Sequence, residues 1–136
     1  MSSHAAVGRP VRILVADDNP LWTEGLSVLM NAHKGIEIVG RARDGNDAVE
    51  LAFALRPDVV LMDVQMPNLD GIEATRILTG QLPSVRVLML SSSTAPDDVA
   101  RSRCAGAVGY VFKGCASAEL VDLIHEVALT ADSHAA

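Results

Sequence analysis

Three features are missing from this sequence of 136 residues: a long apolar run, a paired set of cysteines and an excess of positive charge. No apolar stretch approaches the roughly 20 residues that a membrane-spanning helix needs. The opening residues, MSSHAAVGRP, contain no apolar signal-peptide core. Cys104 and Cys115 fit neither a C-x-x-C pattern nor a Cys/His metal spacing. We therefore expect a cytoplasmic protein with reduced thiols and no membrane contact.

Charge and composition restrict the function further. Acidic residues outnumber basic residues by 17 to 11, so the formal net charge is -6. Domains that bind nucleic acid usually carry a basic patch, and we expect no direct nucleic-acid binding here. An apolar share of 49% and a charged share of 21% are typical of a soluble globular protein. The length fits one domain.

Short apolar runs alternate with helical patterns along the chain. The runs are mostly continuous, as in parallel strands covered on both faces, and lie at 13–16, 36–40, 59–62, 85–90 and 108–112. Between them apolar residues recur at helical spacing, for example at Trp22, Leu26, Leu29 and Met30. This alternation predicts an α/β fold of the flavodoxin-like, doubly wound type. Its parallel sheet has five strands in the order 2-1-3-4-5, with five helices.

The two ends of the chain differ from its middle. Both are rich in small and polar residues, which are typical of loosely held termini. We expect a flexible N-terminal tail at 1–10, the folded domain at 11–130, and a C-terminal tail or the start of a linker at 131–136.

Chemically active side chains follow four of the predicted strands. Asp17 and Asp18 end the first strand, Asp63 the third, Ser91 the fourth and Lys113 the fifth. The carboxyl ends of parallel strands meet at one edge of a sheet, where function concentrates in this fold class. Three close carboxylates repel one another, and Mg²⁺ favours such oxygen ligands together with a phosphate. The sequence therefore predicts a magnesium site that receives a phosphoryl group.

Each of these residues also has an ordinary structural interpretation. Asp17 and Asp18 precede Asn19-Pro20, a helix-start signal, and could cap that helix. Asp63 alone could be a turn residue, Ser91 part of a serine-rich loop, and Lys113 a surface charge. The functional interpretation depends on all of these residues lying together at one edge of the sheet, in the order in which their strands occur in the chain.

Four stretches of the sequence resemble one protein family. ILVADDNP, PDVVLMDVQMPNLDGIEA, VRVLMLSSS and GAVGYVFKG are similar to motifs of the receiver domain of two-component response regulators. The resemblance spans residues 11–130. It implies that Asp63 is the phosphoacceptor, taking a phosphoryl group from the phosphohistidine of a histidine kinase. It also implies that Asp17, Asp18, Asp63 and the backbone carbonyl of Gln65 hold Mg²⁺, with Asp18 a direct ligand.

The same resemblance assigns three further roles. Ser91 matches the hydroxyl that contacts a phosphoryl oxygen, Lys113 the lysine that pairs with the phosphoryl group, and Tyr110 the aromatic switch residue. The expected response is that Ser91 and Tyr110 move inward and remodel a surface for protein contacts or dimerisation. A receiver is a signalling domain rather than a separate enzyme, although it takes part in its own phosphotransfer and can autodephosphorylate.

The sequence departs from many receivers after the fifth strand. Those proteins have Lys-Pro where this chain has Lys113-Gly114. YVFKGCASAELVDLI is closer to receivers that precede helix-turn-helix DNA-binding domains, which implies a transcriptional output. A single-domain regulator and the receiver part of a longer transcription factor both remain open.

Three other functions fit the sequence less well. A haloacid-dehalogenase-type phosphatase needs a second acid where this chain has Gln65. A flavin binder of the flavodoxin type would suffer repulsion between its phosphate and Asp17 and Asp18. A receiver that docks partners without phosphorylation remains open, because all the catalytic residue types are present.

Overall fold

Strands and helices alternate regularly throughout the part of the chain that is described. The computed structural model describes residues 9–92, 95–115 and 117–135. The strands are β1 (Val11–Ala16), β2 (Ile36–Ala42), β3 (Val59–Asp63), β4 (Arg86–Ser91) and β5 (Gly109–Phe112). The helices are α1 (Pro20–Asn31), α2 (Gly45–Leu55), α3 (Gly71–Gln81), α4 (Pro96–Ala105) and α5 (Ser117–Ala135).

The strands form one parallel sheet in the order β2-β1-β3-β4-β5. The predicted fold class and strand order are therefore confirmed. β3 lies at the centre and all five of its residues are buried, because helices cover both of its faces. The chain reverses its direction of winding between β1 and β3, so the carboxyl ends of these strands border the crevice where ligands bind in this class of sheet.

Two hydrophobic cores lie on opposite faces of the sheet. On one face, α2, α3 and α4 pack against alternate strand residues such as Leu14, Val60 and Met89. On the other face, α1 and α5 pack against the remaining strand residues such as Val15 and Leu61. A strand with two buried faces has no polar alternation, which explains the continuous apolar runs in the sequence.

Polar side chains fix the starts of three helices. Asn19 caps α1, Asp44 caps α2 and Asp70 caps α3, each by accepting hydrogen bonds from backbone N–H groups of the first turn. These bonds satisfy donors that have no partner inside the helix. α4 begins after Ala95, whose side chain forms no cap hydrogen bond, and Pro96 occupies its first turn.

The buried face of α1 differs from the predicted one. Leu26 and Met30 are buried as expected, but Leu29 is 44% exposed. Thr23 and Ser27 occupy the buried stripe instead. Their hydroxyls donate to backbone carbonyls one turn earlier, Thr23 Oγ1 at 2.6 Å and Ser27 Oγ at 2.9 Å. These hydrogen bonds let polar residues enter the core, a feature that an apolar pattern does not reveal.

The end of the chain also differs from its predicted local structure. α5 continues to Ala135, whereas the sequence predicts a tail or linker from residue 131. No glycine or proline interrupts 117–135, so no stop signal ends the helix earlier. Residues 1–8 of the predicted N-terminal tail, Ser93 of the third motif and Ala136 lie outside the described residues. Of the helices that are described, none combines the length and apolar content needed to cross a membrane.

Candidate functional site

Side chains from four strand ends meet at the carboxyl edge of the sheet. Asp17 and Asp18 follow β1, Asp63 is the last residue of β3, Ser91 is the last residue of β4, and Lys113 follows β5. An open cleft of about 420 Å³ is bordered there by Asp18, Asn19, Asp63, Gln65, Met66, Pro67, Ser91, Ser92 and Lys113. The strand-end residues predicted from the sequence are therefore brought to one edge.

The three aspartates form a compact cluster. Asp17, Asp18 and Asp63 each place a carboxylate oxygen within 4.8 Å of the others. Asp17 and Asp63 are buried while Asp18 is exposed to the cleft. Oxygen atoms at this density repel one another unless a cation lies among them, so the cluster has the donor set that Mg²⁺ prefers.

Lys113 supplies a positive charge within the cluster. Its Nζ lies 2.6 Å from Asp17 Oδ2 and 3.4 Å from Asp63 Oδ2. The side chain is only 17% exposed, so solvent screens these contacts weakly. One ammonium against three carboxylates leaves the site negatively charged. A divalent cation would complete the neutralisation.

Asp17 does not cap the following helix. Asn19 Oδ1 accepts from Leu21 N and Trp22 N and is the cap. Asp17 Oδ1 accepts from Asn19 N at 2.8 Å, which orients the carboxylate. Asp17 Oδ2 is buried and accepts no hydrogen bond within the described part of the chain, because its close contact with Lys113 Nζ lacks hydrogen-bond geometry. The helix-cap role considered for Asp17 is therefore filled by Asn19, and the chemistry of this carboxylate oxygen fits a metal ligand.

Asp63 has an altered acidity. Burial, followed by the nearby charge of Asp17, raises its pKa from 3.8 to about 6, against the opposing effects of Lys113 and the Gln65 N–H. Gln65 N lies 3.4 Å from Asp63 Oδ1. A carboxylate that resists ionisation in this way gains from a cation beside it. Such perturbed groups in clefts are frequent at functional sites.

The loop after β3 is held by contacts that the sequence does not display. Asn68 adopts the left-handed backbone region at φ 68° and donates from Nδ2 to Asp44 Oδ2 at 2.7 Å. Gly71 N donates to Val64 O, and a Cβ on Gly71 would lie 1.9 Å from the Asp63 carbonyl oxygen. The glycine therefore lets α3 begin directly against the backbone of Asp63. The Asn-Leu-Asp-Gly stretch is the only sequence signal of this turn.

Ser91 and Tyr110 occupy different surroundings. Ser91 is buried at the inner wall of the cleft, and its carbonyl oxygen accepts from Lys113 N at 2.8 Å. Tyr110 on β5 is half-buried and borders a small separate cavity of about 60 Å³ together with Ser102 of α4. Only Ser91 of the two faces the acidic cluster.

Trp22 lies closer to the site than its sequence position indicates. Lys113 Nζ is 4.8 Å from the centre of the Trp22 ring, whereas the sequence places this residue near the acidic pair and favours a packing role, with a fluorescence response to metal binding as the alternative. Its position in the first turn after the acidic pair is the only available signal. The contact joins residues from α1 and the end of β5, and it depends on the strand order.

Comparison with known proteins gives a consistent result. The family model described as the response regulator receiver domain matches residues 13–125. The uncharacterized transcriptional regulatory protein YxjL of Bacillus subtilis is 40% identical over 118 residues, which cover 87% of this chain and 54% of that protein. Response regulator GacA of Pseudomonas aeruginosa is 38% identical over 86% of this chain and 55% of its own length.

A solved structure agrees with this result. The signal receiver domain of the putative response regulator NarL from Mycobacterium tuberculosis has a TM-score of 0.84 and 35% identity, covering 88% of this chain and 97% of that one. The chain spans about half the length of the curated relatives it matches, but nearly all of the isolated receiver domain.

Proposed function

Because this chain belongs to the response regulator receiver domain family, we propose that it accepts a phosphoryl group on Asp63 from the phosphohistidine of a sensor histidine kinase. The observation that carries the proposal is the position of Asp63. Its carboxylate borders the open cleft, belongs to the acidic cluster and has Lys113 Nζ at 3.4 Å. Phosphoryl transfer depends mainly on positioning and charge neutralisation, and these neighbours supply both.

Mg²⁺ is the proposed cofactor. Receiver domains bind Mg²⁺ at an acidic pocket, and the aspartate cluster matches that donor type. Asp18 is the proposed direct ligand because it faces the cleft, with Asp17, Asp63 and the backbone carbonyl of Gln65 completing the protein's contribution. When bound, the ion would neutralise charge on the phosphoryl oxygens and orient them.

The proposed transfer is a single displacement at phosphorus. An Asp63 oxygen attacks phosphorus, the bond from phosphorus to the donor nitrogen breaks, and the imidazole keeps that electron pair and gains a proton. The product is an acyl phosphate, which water later hydrolyses. Lys113 balances the charge on the phosphoryl oxygens, and the Ser91 hydroxyl donates a hydrogen bond to one of them.

The same chemistry supports a conformational switch. A phosphoryl group adds negative charge and strong acceptors, which attract Lys113 and Ser91. Movement of Ser91 makes room for Tyr110 to turn inward and changes the surface formed by α4, β5 and α5. The phosphoryl group thus shifts the population between two states. The proposed consequence is a changed partner contact or homodimer that controls transcription from the cytoplasm.

Intact-mass measurement after incubation with acetyl phosphate and Mg²⁺ tests this proposal. We expect the wild type and Asp122→Asn, which changes an exposed acid on α5, to gain one phosphoryl group. Asp63→Asn, and the wild type in EDTA, should gain none. Equal uptake by Asp63→Asn would contradict the assignment. A wild type that neither gains a phosphoryl group nor binds beryllofluoride would indicate a docking module independent of phosphorylation.

A further inference from the structure

The face of an indole ring lies against the ammonium of the acidic site. Trp22 is the chain's only tryptophan, is half-buried, and has its ring centre 4.8 Å from Lys113 Nζ. A cation within about 6 Å of an aromatic ring centre is attracted by the negative face of the ring. Tryptophan provides the strongest attraction of the aromatic side chains.

The ammonium is held by two kinds of contact. Nζ lies 2.6 Å from a carboxylate oxygen of Asp17 and 3.4 Å from one of Asp63, and it also lies over the ring of Trp22. Lysine has four flexible carbon–carbon bonds and loses substantial rotamer freedom when it is confined. Both kinds of contact limit Nζ to one region before any phosphoryl group arrives.

The surroundings of the ring strengthen this arrangement. Trp22 and Lys113 border a second cavity of about 430 Å³, whose other walls are mainly apolar and include Leu26, Leu90 and Leu120. The Lys113 side chain is only 17% exposed, and an aromatic contact with a cation is stronger where the cation is shielded from water. Asn19 Oδ1 accepts from Trp22 N at 3.3 Å, so the loop that carries Asp17 also fixes the start of the turn that carries the ring.

We propose that Trp22 is a positioning residue that holds the Lys113 ammonium beside Asp63 for phosphoryl transfer. This inference rests on the proposed function. Trp22 acts only through Lys113, touching neither the phosphoryl group nor the metal. When Lys113 pairs with the phosphoryl oxygens, its contact with the ring changes, so the indole also senses the state of the site.

Rates of phosphorylation by acetyl phosphate test the positioning role. Trp22→Leu removes the aromatic face and should lower the rate by roughly 3- to 10-fold. Trp22→Phe retains a weaker face and should recover part of the loss. Leu21→Ala is the matched control, because Leu21 borders the same cavity but is 83% exposed. Its rate should equal that of the wild type.

A double-mutant cycle separates positioning from general packing. In a Lys113→Met background, Trp22→Leu should change the rate by no more than experimental error, since the group it positions is absent. An equal loss in both backgrounds would overturn the proposal. So would equal rates for Trp22→Phe and Trp22→Leu. Thermal unfolding of each variant identifies any that fail to fold. If Trp22→Leu fails to fold, the phosphorylation rates of Trp22→Phe and Trp22→Met compare an aromatic with a non-aromatic side chain at this position.

Fluorescence tests the contact independently of phosphotransfer. All tryptophan emission comes from Trp22, and we expect Lys113→Met to shift the emission maximum because a charge leaves the ring face. An unshifted spectrum would overturn the inference. If the wild type accepts no phosphoryl group, the proposed function fails, while the spectrum of the unmodified protein still decides whether Trp22 holds Lys113.

Discussion

Helices α3 and α4 pack on the same face of the sheet but are fixed very differently. α3 has a side-chain cap from Asp70, and five of its 11 residues are buried. At α4 the N-cap residue Ala95 forms no side-chain cap, and two of the helix's 10 residues, Ser102 and Ala105, are buried. The helix that follows Asp63 is therefore anchored, and the helix beside Tyr110 is loosely held. The proposed function, in which Asp63 stays in place while the surface that includes α4 moves, would benefit from this difference.

The largest expected effect lies at the start of α3. Gly71→Ala would place a Cβ 1.9 Å from the carbonyl oxygen of Asp63, so the backbone must shift. We expect a loss of about 3 kcal/mol in the free energy of unfolding, measured by urea denaturation. Gly80→Ala in the same helix is the control, since nothing lies within 4 Å of its Cβ. Helix propensity predicts a gain of up to about 1 kcal/mol there. Equal changes in the free energy of unfolding for Gly71→Ala and Gly80→Ala would show that α3 does not pack tightly against Asp63.

Truncation of apolar side chains compares the two helices directly. Leu78 of α3 is fully buried, and Leu78→Ala should cost about 2 to 3 kcal/mol because it leaves a cavity. Val99 of α4 is half-buried, and Val99→Ala should cost less than about 1 kcal/mol. Denaturation midpoints measure both variants. Similar losses would remove the proposed contrast between an anchored helix and a loosely held one.

Asp63 itself should reduce stability at neutral pH when no metal is present. Its pKa is raised to about 6, so the folded state holds its proton more tightly than the unfolded state does. Tighter proton binding at Asp63 stabilises the folded state. This stabilisation is fully present below pH 3.8 and is lost as the pH rises through about 6. Asp63→Asn remains neutral and should therefore be more stable than wild type above pH 6, on the order of 1 kcal/mol after allowance for solvent screening.

Thermal unfolding in EDTA at pH 4 and pH 7.5 checks this effect of Asp63. The difference between Asp63→Asn and wild type should grow with pH, and Asp122→Asn should show no such trend. Mg²⁺ should reduce the difference by stabilising the wild type through binding to the folded state. A difference that shrinks with rising pH would contradict the raised pKa.

The smallest expected effect concerns one hydroxyl in each helix. Ser102 Oγ of α4 is buried and has no hydrogen-bond partner among the described residues. Ser102→Ala should therefore be neutral or stabilising by less than about 1 kcal/mol. Thr75 Oγ1 of α3 donates to Gly71 O at 2.7 Å, and Thr75→Val should cost about 1 kcal/mol. A destabilised Ser102→Ala variant would indicate that α4 is better fixed than its contacts suggest.

Much of the fold was predictable because burial on both faces leaves a strong pattern. Continuous apolar runs marked the strands, and the residues that end β3 and β4, Asp63 and Ser91, were identified as neighbours through the parallel order alone. The motif resemblance then added roles that no spacing could provide. Those roles remain proposals that depend on the phosphorylation experiment.

Other features escaped prediction for physical reasons. Asp17 could have been a cap or a ligand, because Asp-Asp-Asn-Pro offers several local hydrogen-bond patterns with similar energies. The structure gives the cap to Asn19 and pairs Asp17 with Lys113. The contact of Trp22 with Lys113 joins distant parts of the chain, and a single sequence carries no signal of such a pair.

The central position of β3 also sets a hierarchy of timescales for backbone opening. Its hydrogen bonds are shielded by β1 and β4 on either side, so its amide hydrogens should exchange with solvent only when the whole domain unfolds. β5 is a four-residue edge strand paired with β4 alone, and its amides can exchange through local opening. β3, which ends in Asp63, and the edge strand β5 therefore belong to different cooperative units. β5 can open and close many times within the lifetime of the folded β3.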